Sequence, residues 1–177
     1  MSHVSEGGTA APILDHLKNE ARLLHKQAKD DLRPAVQRIN KHSPAVALGE
    51  AIRRKHCLAT IAREIGFSGW KAVVDCFEAR DGADFAGFLH PKRCHIFWNI
   101  WLANYDEAKK IRAEHGGFLL TYGKQFIVVD NDYVSALGVG PEDALWQLID
   151  RDWARPTDFS GRDQLSFLII KKHLNAG

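Results

Sequence analysis

The stretch FLHPKRCHIFWNIWLA, residues 88–103, decides the fold that this sequence predicts. It contains the longest apolar run of the chain and two of the five tryptophans. Within it, residues 95–103 are rich in side chains that favour strands, and the run is too short for an aromatic-rich helix. We therefore predict a buried central strand, with His90, Cys94 and His95 at its entrance.

Strand alternation predicts which side chains of this segment share a face. Phe97, Asn99 and Trp101 would lie on one face, and the intervening apolar residues on the other. Since both faces are mostly apolar, either helices cover both sides of a central strand, or one aromatic face binds a ligand or a partner. The candidate ligand-binding residues are accordingly His95, Phe97, Asn99 and Trp101.

The composition of the whole chain is that of a globular protein with a core, with 177 residues, 45% hydrophobic and 26% charged. Residues 1–80 carry 13 Lys+Arg against 9 Asp+Glu, and residues 81–177 carry 11 against 13, so the halves are +4 and −2. A net charge of +2 is too weak to indicate a protein that binds nucleic acid or membranes through charge.

The cysteines indicate a reducing compartment. Cys57, Cys76 and Cys94 are odd in number and lack C-x-x-C spacing, which argues against a disulfide framework and a four-thiolate zinc site. The N-terminus lacks the pattern of a secretion signal, and the chain contains no apolar run long enough for a membrane span. A cytoplasmic protein without a membrane partner is expected.

The apolar periodicity predicts an α+β fold, with an N-terminal four-helix module followed by a small β-α-β-β unit of about three strands and trailing helices. The predicted divisions are a flexible tail (1–11), a helical module (12–80) and an α+β module (84–177). The third helix is expected to run from Ala45 to Gly66, with Leu48 on its apolar face and the glycine as a left-handed cap.

Residues typical of helix caps and turns predict the boundaries of the elements in the β-α-β-β unit. Its helix should be capped by Asn104 or Asp106 and should stop at Gly116. Gly123 and Lys124 should form the two-residue turn of a hairpin that joins the last two strands.

Three side chains at the strand entrance are candidates for metal or thiol chemistry. His90, Cys94 and His95 offer the imidazole and thiolate ligands of a site that would take zinc or iron, but a further ligand, such as His56 or Cys57, would have to come from the other half. Cys94 is also a candidate nucleophile, with His90 or His95 as its base. Adjacent strand residues point to opposite faces, which disfavours the pair Cys94 and His95. The alternative is solvated histidines and a buried thiol that packs as a small apolar group.

Two acidic pairs end apolar segments. Asp130 with Asp132, and Asp150 with Asp152, could converge on a cation, but the glycine and glutamate of a calcium loop are missing. Helix capping and local ion pairing explain these carboxylates as well.

Residues 61–68, IAREIGFS, continuing to Phe77, resemble one half of the DNA-binding region of AraC-type regulators, where such a turn precedes a recognition helix. The resemblance implies DNA binding by residues 51–79. Arg53, Arg54 and Lys55 would then be the candidates for contacts with the phosphate backbone.

The same segment resembles more closely the pattern A-R-E-x-G-F-x-x-W-x-x-L of a small bacterial helical module, found beside ankyrin repeats and in glyoxalase-related proteins. This pattern places Trp70 where a recognition helix carries polar readers. Residues 69–79 offer only Lys71 as a basic side chain, beside Asp75 and Glu78, so DNA is not expected as a partner. Because the second half supplies no clear set of histidine and glutamate ligands, glyoxalase activity is not carried over.

The function predicted from the sequence is that of a small binding or regulatory protein, with a surface for a protein or small molecule near the aromatic strand. The sequence assigns no chemistry and does not identify the partner. One alternative is a small metal- or thiol-dependent enzyme that uses Cys94 with His90 or His95. The other is a DNA-binding regulator.

Overall fold

The computed structural model describes residues 10–79 and 82–176, so most of the predicted tail, residues 1–9, lies outside the described residues. The helices of the first half are α1 (Ala10–Lys29), α2 (Arg33–His42), α3 (Pro44–Ala47), α4 (Arg54–Glu64) and α5 (Trp70–Glu78). The second half contains α6 (Ala86–Leu89), a 3-10 turn (Lys92–Cys94), β1 (Asn99–Leu102), α7 (Tyr105–His115), β2 (Phe118–Tyr122), β3 (Gln125–Val129), α8 (Asn131–Leu137), α9 (Ala144–Leu148) and α10 (Phe159–Asn175). In this part of the chain, no helix is long and apolar enough to cross a membrane.

The predicted α+β class and the order β-α-β-β are confirmed. Asn104 caps α7, since its side-chain oxygen accepts hydrogen bonds from the backbone N–H groups of Asp106 at 2.8 Å and Glu107 at 3.2 Å. Strands β2 and β3 form a hairpin in which Gly123 has a φ of +56°, a conformation that favours glycine. Local signals in the sequence therefore predict the helix cap and the hairpin turn of this unit correctly.

The predicted central strand is instead an edge strand, and it is shorter than residues 95–103. The sheet order is β1-β3-β2, which puts β3 in the centre. Residues before β1 are in turns, because the N–H of His95 donates to the carbonyl of Lys92 at 3.1 Å. The N–H of Phe97 likewise donates to the carbonyl of Cys94 at 3.2 Å. These bonds exclude the first residues of the predicted strand from the sheet and leave β1 at its edge.

The predicted helix from Ala45 to Gly66 is also corrected, because residues 48–53 separate α3 from α4. Gly49 has a φ of +105°, which a helix cannot accommodate. Leu48, predicted to face the core, is 90% exposed. The apolar periodicity continued across a turn that directs this side chain outward.

One hydrophobic core extends through both halves of the chain. Phe88 of α6 is wholly buried near its centre. The Phe88 ring lies 5.7 Å from the ring of Phe67 and 5.8 Å from that of Phe77, both in the first half. It also lies 6.4 Å from the ring of Trp153 and 5.3 Å from that of His173. The core is therefore continuous across the predicted boundary between modules.

The two faces of the sheet have different coverings. Helix α7 packs on one face, where Leu102, Leu119 and Val128 are buried with Ala108. Trp101 lies on the other face, as the predicted alternation within β1 requires, and its ring is 5.1 Å from that of Tyr122. The end of this second face is only partly covered, and it forms the candidate site.

Two glycines hold α6 close to the turn that follows α4. Gly66 has a φ of +100°, as expected of a left-handed helix cap. A Cβ atom on Gly66 would lie 2.5 Å from the carbonyl carbon and oxygen of Gly87. This backbone contact sets the position of α6 and hence of His90, which follows it directly.

Candidate ligand-binding site

Five rings meet at the end of α6 and form what we call the His90 cluster. The ring of His90 stacks on that of His95 at 4.3 Å, and lies nearly parallel to that of Tyr133 at 6.0 Å. The rings of Trp101 and Tyr122 meet His90 almost at right angles, at 5.1 and 5.7 Å. Trp101 is 40% exposed and Tyr122 is 37% exposed. The cluster thus combines a partly buried imidazole with accessible aromatic surface.

The hydrogen bonds of Tyr133 determine which nitrogen of His90 carries the proton. The Tyr133 hydroxyl donates to the carbonyl of Leu89 at 2.8 Å, since a carbonyl can only accept. The same hydroxyl lies 2.6 Å from Nδ1 of His90. Because its single hydrogen is already used, it must accept from the Nδ1–H group. In the neutral imidazole, Nε2 of His90 is therefore an acceptor.

The protonation of His90 follows from its surroundings. Burial, and to a smaller extent the neighbouring His95, lower the pKa of His90 below its ordinary value. His90 is thus neutral near pH 7. Nε2 of His95 lies 3.3 Å from the backbone carbonyl of His90, which can only accept. Both imidazoles are held by backbone or hydroxyl groups, so the cluster has a defined set of donors and acceptors.

Removing the Tyr133 hydroxyl should break its hydrogen bonds with Leu89 and His90 and destabilise the His90 cluster. We expect Tyr133→Phe to lower the free energy of unfolding by about 1–3 kcal/mol, because the Leu89 carbonyl and the His90 Nδ1–H lose their partner. The nitrogen-15 spectrum of His90 should also lose its preference for the Nδ1–H tautomer. Tyr122→Phe, which alters an exposed phenol of the same cluster, is the control and should change stability by less than about 0.5 kcal/mol. An unchanged tautomer in Tyr133→Phe would contradict the assignment.

A cavity of about 520 Å³ opens beside the His90 cluster and is lined by His90, His95 and Tyr122. Its other basic and imidazole lining residues are Lys41, His42, Arg63, Lys92, Arg93 and His173. Glu64 is the only carboxylate among the described lining residues, and Arg38 binds both of its oxygens, at 2.9 and 2.7 Å. The lining therefore carries a net positive charge.

The two arginines of this lining are partly engaged by backbone carbonyls. Arg93 donates to the carbonyls of Ala136 at 2.7 Å and Leu137 at 2.9 Å, at the end of α8. Arg63 donates to the carbonyls of Ser68 and His42. The two lysines, Lys41 and Lys92, have no ion-pair partner within residues 10–79 and 82–176, so they are the better candidates for contact with an anion.

His173, at the back of the cavity, is buried between two fixed partners. It lies 2.8 Å from the carbonyl of Phe88 through Nε2, which must donate, and 3.1 Å from Nη1 of Arg93 through Nδ1, which accepts. Burial, opposed by the bond to Phe88, lowers the pKa of His173 to about 4. His173 is thus a neutral, structural histidine.

This burial predicts an acid-sensitive fold. Because the unfolded chain titrates His173 near 6.5 and the folded chain near 4, the unfolded state binds more protons between these values. The free energy of unfolding should fall as the pH falls through this window, by on the order of 3 kcal/mol. Urea unfolding at pH 7 and at pH 4 measures it. His173→Gln should flatten the dependence, and exposed His115→Gln should not; equal slopes in all three proteins would contradict the assignment.

The environment of Cys94 gives no support to a thiol-dependent enzyme. The side chain is wholly buried, and its Sγ lies 3.8 Å from the carbonyl of Tyr133. Burial raises the pKa of Cys94 to about 11, whereas an activated nucleophile has a lowered pKa. Nor do any three His, Cys, Asp or Glu side chains in the described part of the chain lie close enough to hold a metal ion. His90 and His95 instead stack on each other.

Of the four predicted ligand-binding residues, the structure brings His95 and Trp101 into the His90 cluster. Asn99 lies behind them: its amide donates to the carbonyl of Phe97 at 2.8 Å and its oxygen accepts from Nε1 of Trp101 at 2.8 Å. Phe97 packs against the core. These two bonds engage the Asn99 amide, and its role here is to orient the indole.

The other predicted sites have local partners. Glu50 Oε1 lies 3.7 Å from Arg53 and 3.4 Å from Lys55, two of the proposed phosphate contacts, whereas no such pair is seen for Arg54 in this part of the structure. Asp130 caps α8 by accepting from the N–H of Tyr133 at 2.9 Å. These contacts stabilise the local structure.

Asp152, of the second acidic pair, also has structural partners. Its carboxylate accepts from the hydroxyl of Tyr105 at 2.5 Å and from the backbone N–H of Arg155 at 2.9 Å. The side chain is almost wholly buried, so it is committed to holding the segment after α9 against α7.

The chain has no significant match among protein-family models, curated proteins or solved structures. The resemblance of residues 59–77 to a helical module therefore stays a prediction. In the structure, Val73 and Phe77 of α5 are buried in the core, and Lys71 pairs with Asp75 at 2.5 Å. Helix α5 thus packs against the core through its apolar side chains.

Proposed function

We propose that the protein is a small-molecule binding protein whose ligand occupies the His90 cluster and the cavity beside it. The ligand is a small anion that carries a planar ring. The observation that supports this proposal is the junction of exposed aromatic rings with a cavity of net positive charge. Its volume, about 520 Å³, is in the range of small-molecule sites.

The ring of the ligand is recognised by the exposed edge of the cluster. Tyr122 lines the cavity, and the exposed ring of Trp101 lies 5.1 Å from the ring of Tyr122. Stacking on such side chains is favourable for any planar base or aromatic ring. The indole of Trp101 is held by Asn99, so little side-chain freedom is lost on binding. Nε2 of His90 adds an acceptor for an N–H or O–H group of the ligand.

The anionic group of the ligand is recognised by the lysines. Lys41, from the end of α2, and Lys92, from the turn after α6, line the same cavity. Since Glu64 is neutralised by Arg38, neither lysine faces an uncompensated carboxylate in the lining. Charge-assisted hydrogen bonds from the lysines would favour phosphate or carboxylate over a neutral ligand.

The same observations favour binding over the alternatives. The thiol of Cys94 is buried and protonated, which does not suit catalysis. Helix α5 directs apolar residues into the core, where a recognition helix would need exposed polar readers. The cysteines Cys57, Cys76 and Cys94 are free thiols, a state typical of the cytoplasm, where we place the protein.

A comparison of two tryptophan variants tests this proposal. Calorimetric titration with adenosine 5′-monophosphate should show binding to the wild type, with adenosine and inorganic phosphate each weaker. Trp101→Ala should weaken binding roughly 5- to 100-fold, the range of a lost base–aromatic stack. Trp98→Ala is the matched control, because Trp98 is 45% exposed but lies outside the His90 cluster.

The second arm tests the charge. Lys92→Gln should weaken binding of the nucleotide roughly three- to tenfold and leave binding of adenosine unchanged. Lys109→Gln, which alters an exposed lysine of α7, is the control. Equal losses in Trp101→Ala and Trp98→Ala, or no effect of Lys92→Gln, would contradict the proposal.

A further inference from the structure

The two outer edges of the sheet differ in what covers them. The sheet order is β1-β3-β2, so β1 and β2 each have one outer edge. Along β2, the N–H of Leu119 donates to the carbonyl of Arg151 at 2.9 Å, and the carbonyl of Leu119 accepts from the N–H of Trp153 at 2.8 Å. Within residues 10–79 and 82–176, no strand or bridge pairs with the outer edge of β1. The segment after α9 therefore covers one edge, and the other is open.

The register of the sheet shows which backbone groups the open edge presents. In an antiparallel sheet, the N–H and C=O groups of one residue point to the same side, and those of the next residue point to the other. Leu119 uses both groups outside the sheet, so Val128, which lies opposite it, directs its own groups to β1. The partner of Val128 there is Ile100. The neighbours of Ile100, which are Asn99 and Trp101, therefore direct their N–H and C=O groups outward.

The open edge lacks the features with which proteins commonly block strand pairing. Strand β1 reads NIWL and contains no charged residue and no proline. Just before it, Ile96 is 84% exposed and Trp98 is 45% exposed. In the described part of the chain, Asn99 and Trp101 make no backbone hydrogen bond outside the sheet. Free backbone groups beside exposed apolar side chains are suited to pairing with another strand.

The charges on either side of β1 indicate which strand this would be. Lys92 precedes β1, and Asp106 and Glu107 lie in the first turn of α7, which follows it. All three are exposed, and the ion pairs among the described residues include none of them. When two copies of a strand pair antiparallel, the start of one lies beside the end of the other. The lysine of each copy would then lie near the two carboxylates of the other, and the two-fold symmetry repeats this attraction.

We infer that a second copy of this chain occupies the open edge of β1, and that the two β1 strands pair antiparallel about a two-fold axis at Ile100. Asn99 of each copy then lies opposite Trp101 of the other, and each such pair exchanges both of its backbone hydrogen bonds. The pairing joins two three-stranded sheets into one continuous sheet. Its hydrogen bonds lie in the plane of the sheet, so they do not use the face that carries the Trp101 ring. The inference does not depend on the proposed function.

Amide hydrogen exchange of the full chain, measured by NMR over a range of protein concentrations, tests the pairing directly. Because β1 has four residues, the dimer should be weak, with a dissociation constant in the micromolar range. Exchange at the N–H groups of Asn99 and Trp101 should slow roughly tenfold once about nine-tenths of the chains are paired. The N–H groups of Ile100 and Leu102, which point to β3, are the internal control and should be protected at every concentration. Sedimentation equilibrium should show a dimer over the same range.

Charge exchange between the two ends of the strand tests the antiparallel orientation. Lys92→Glu and Glu107→Lys should each weaken the dimer roughly three- to tenfold, because each change acts twice in a symmetric pair. The double variant should restore association. Glu114→Lys, which makes the same change of charge in the last turn of α7, is the matched control and should leave association unchanged.

Three outcomes would overturn the inference. A chain that stays monomeric up to millimolar concentration would remove the second copy as the occupant of this edge. A dimer in which the N–H groups of Asn99 and Trp101 exchange as fast as in the monomer would place the contact elsewhere. Single charge changes without effect, or a double variant that does not recover, would contradict the antiparallel orientation. None of these results bears on ligand binding at the His90 cluster.

Discussion

Phe88→Ala should lower the free energy of unfolding by about 3–5 kcal/mol, the range for removing a fully buried phenylalanine. The loss is expected at the upper part of the range, because Phe88 is wholly buried and contacts rings from both halves of the chain. Helix α6 is held by the close backbone contact of Gly66 with Gly87, which limits how far this helix can shift to fill the space. Urea unfolding of the wild type and the variant measures the difference.

Two signals of unfolding make this a test of the continuous core. Circular dichroism follows mainly the helices, and tryptophan fluorescence follows mainly the second half, where Trp98, Trp101, Trp146 and Trp153 lie. Both transitions should coincide and shift together in Phe88→Ala. The control Leu148→Ala, at an exposed side chain, should shift them little. Transitions that separate in the variant would show two cores in place of one.

Gly66→Ala should be destabilising by at least about 3 kcal/mol, because it combines backbone strain with a clash. Its φ of +100° disfavours alanine, and the new Cβ would meet the carbonyl of Gly87 at 2.5 Å. Gly49→Ala is a matched control, because Gly49 has a φ of +105° but no atom within 4 Å of the added Cβ. Its cost should be the backbone term alone, about 1–2 kcal/mol.

The difference in unfolding free energy between these two variants measures the cost of the clash between the added Cβ and Gly87, without the backbone strain that both variants share. If Gly66→Ala and Gly49→Ala had equal unfolding free energies, the contact between Gly66 and Gly87 would not be tight in solution. Since His90 follows α6 directly, Gly66→Ala should also weaken ligand binding at the His90 cluster, whereas Gly49→Ala should not.

Much of the fold could be predicted because its signals are local. Asn104 is a helix cap by its own side chain, and Gly66 and Gly123 adopt conformations that few other residues tolerate. These signals depend on a few neighbouring residues, so the sequence displays them directly. They were sufficient for the order β-α-β-β and for the α+β class.

The position of β1 at the sheet edge could not be predicted in the same way. A short apolar run has the same composition in a central strand and in an edge strand with one covered face. The turns before β1 also depend on main-chain hydrogen bonds, such as that from the N–H of Phe97 to the carbonyl of Cys94. Such bonds do not alter the apolar periodicity of the sequence. For this reason the predicted strand began too early.

Only part of the candidate site could be predicted from the sequence. His90, His95 and Trp101 belong to one stretch, and the aromatic content of that stretch indicates a binding surface. Tyr122 joins them through the register of the sheet, and Lys41 through the packing of α2. Neither residue has a local pattern that assigns it to a site. The cavity forms only when distant segments pack together, so it could not be predicted from the sequence.

The central claim is that the His90 cluster binds a ring-bearing anion, and the indole N–H of Trp101 reports on it directly. This N–H is hydrogen-bonded to Asn99, so its signal should be sharp in the free protein. On addition of adenosine 5′-monophosphate, the signals of Trp101 and of the His90 side chain should shift together and saturate, while that of Trp98 stays in place. Unshifted Trp101 and His90 signals, with this nucleotide and with other aromatic phosphates and carboxylates, would contradict the claim.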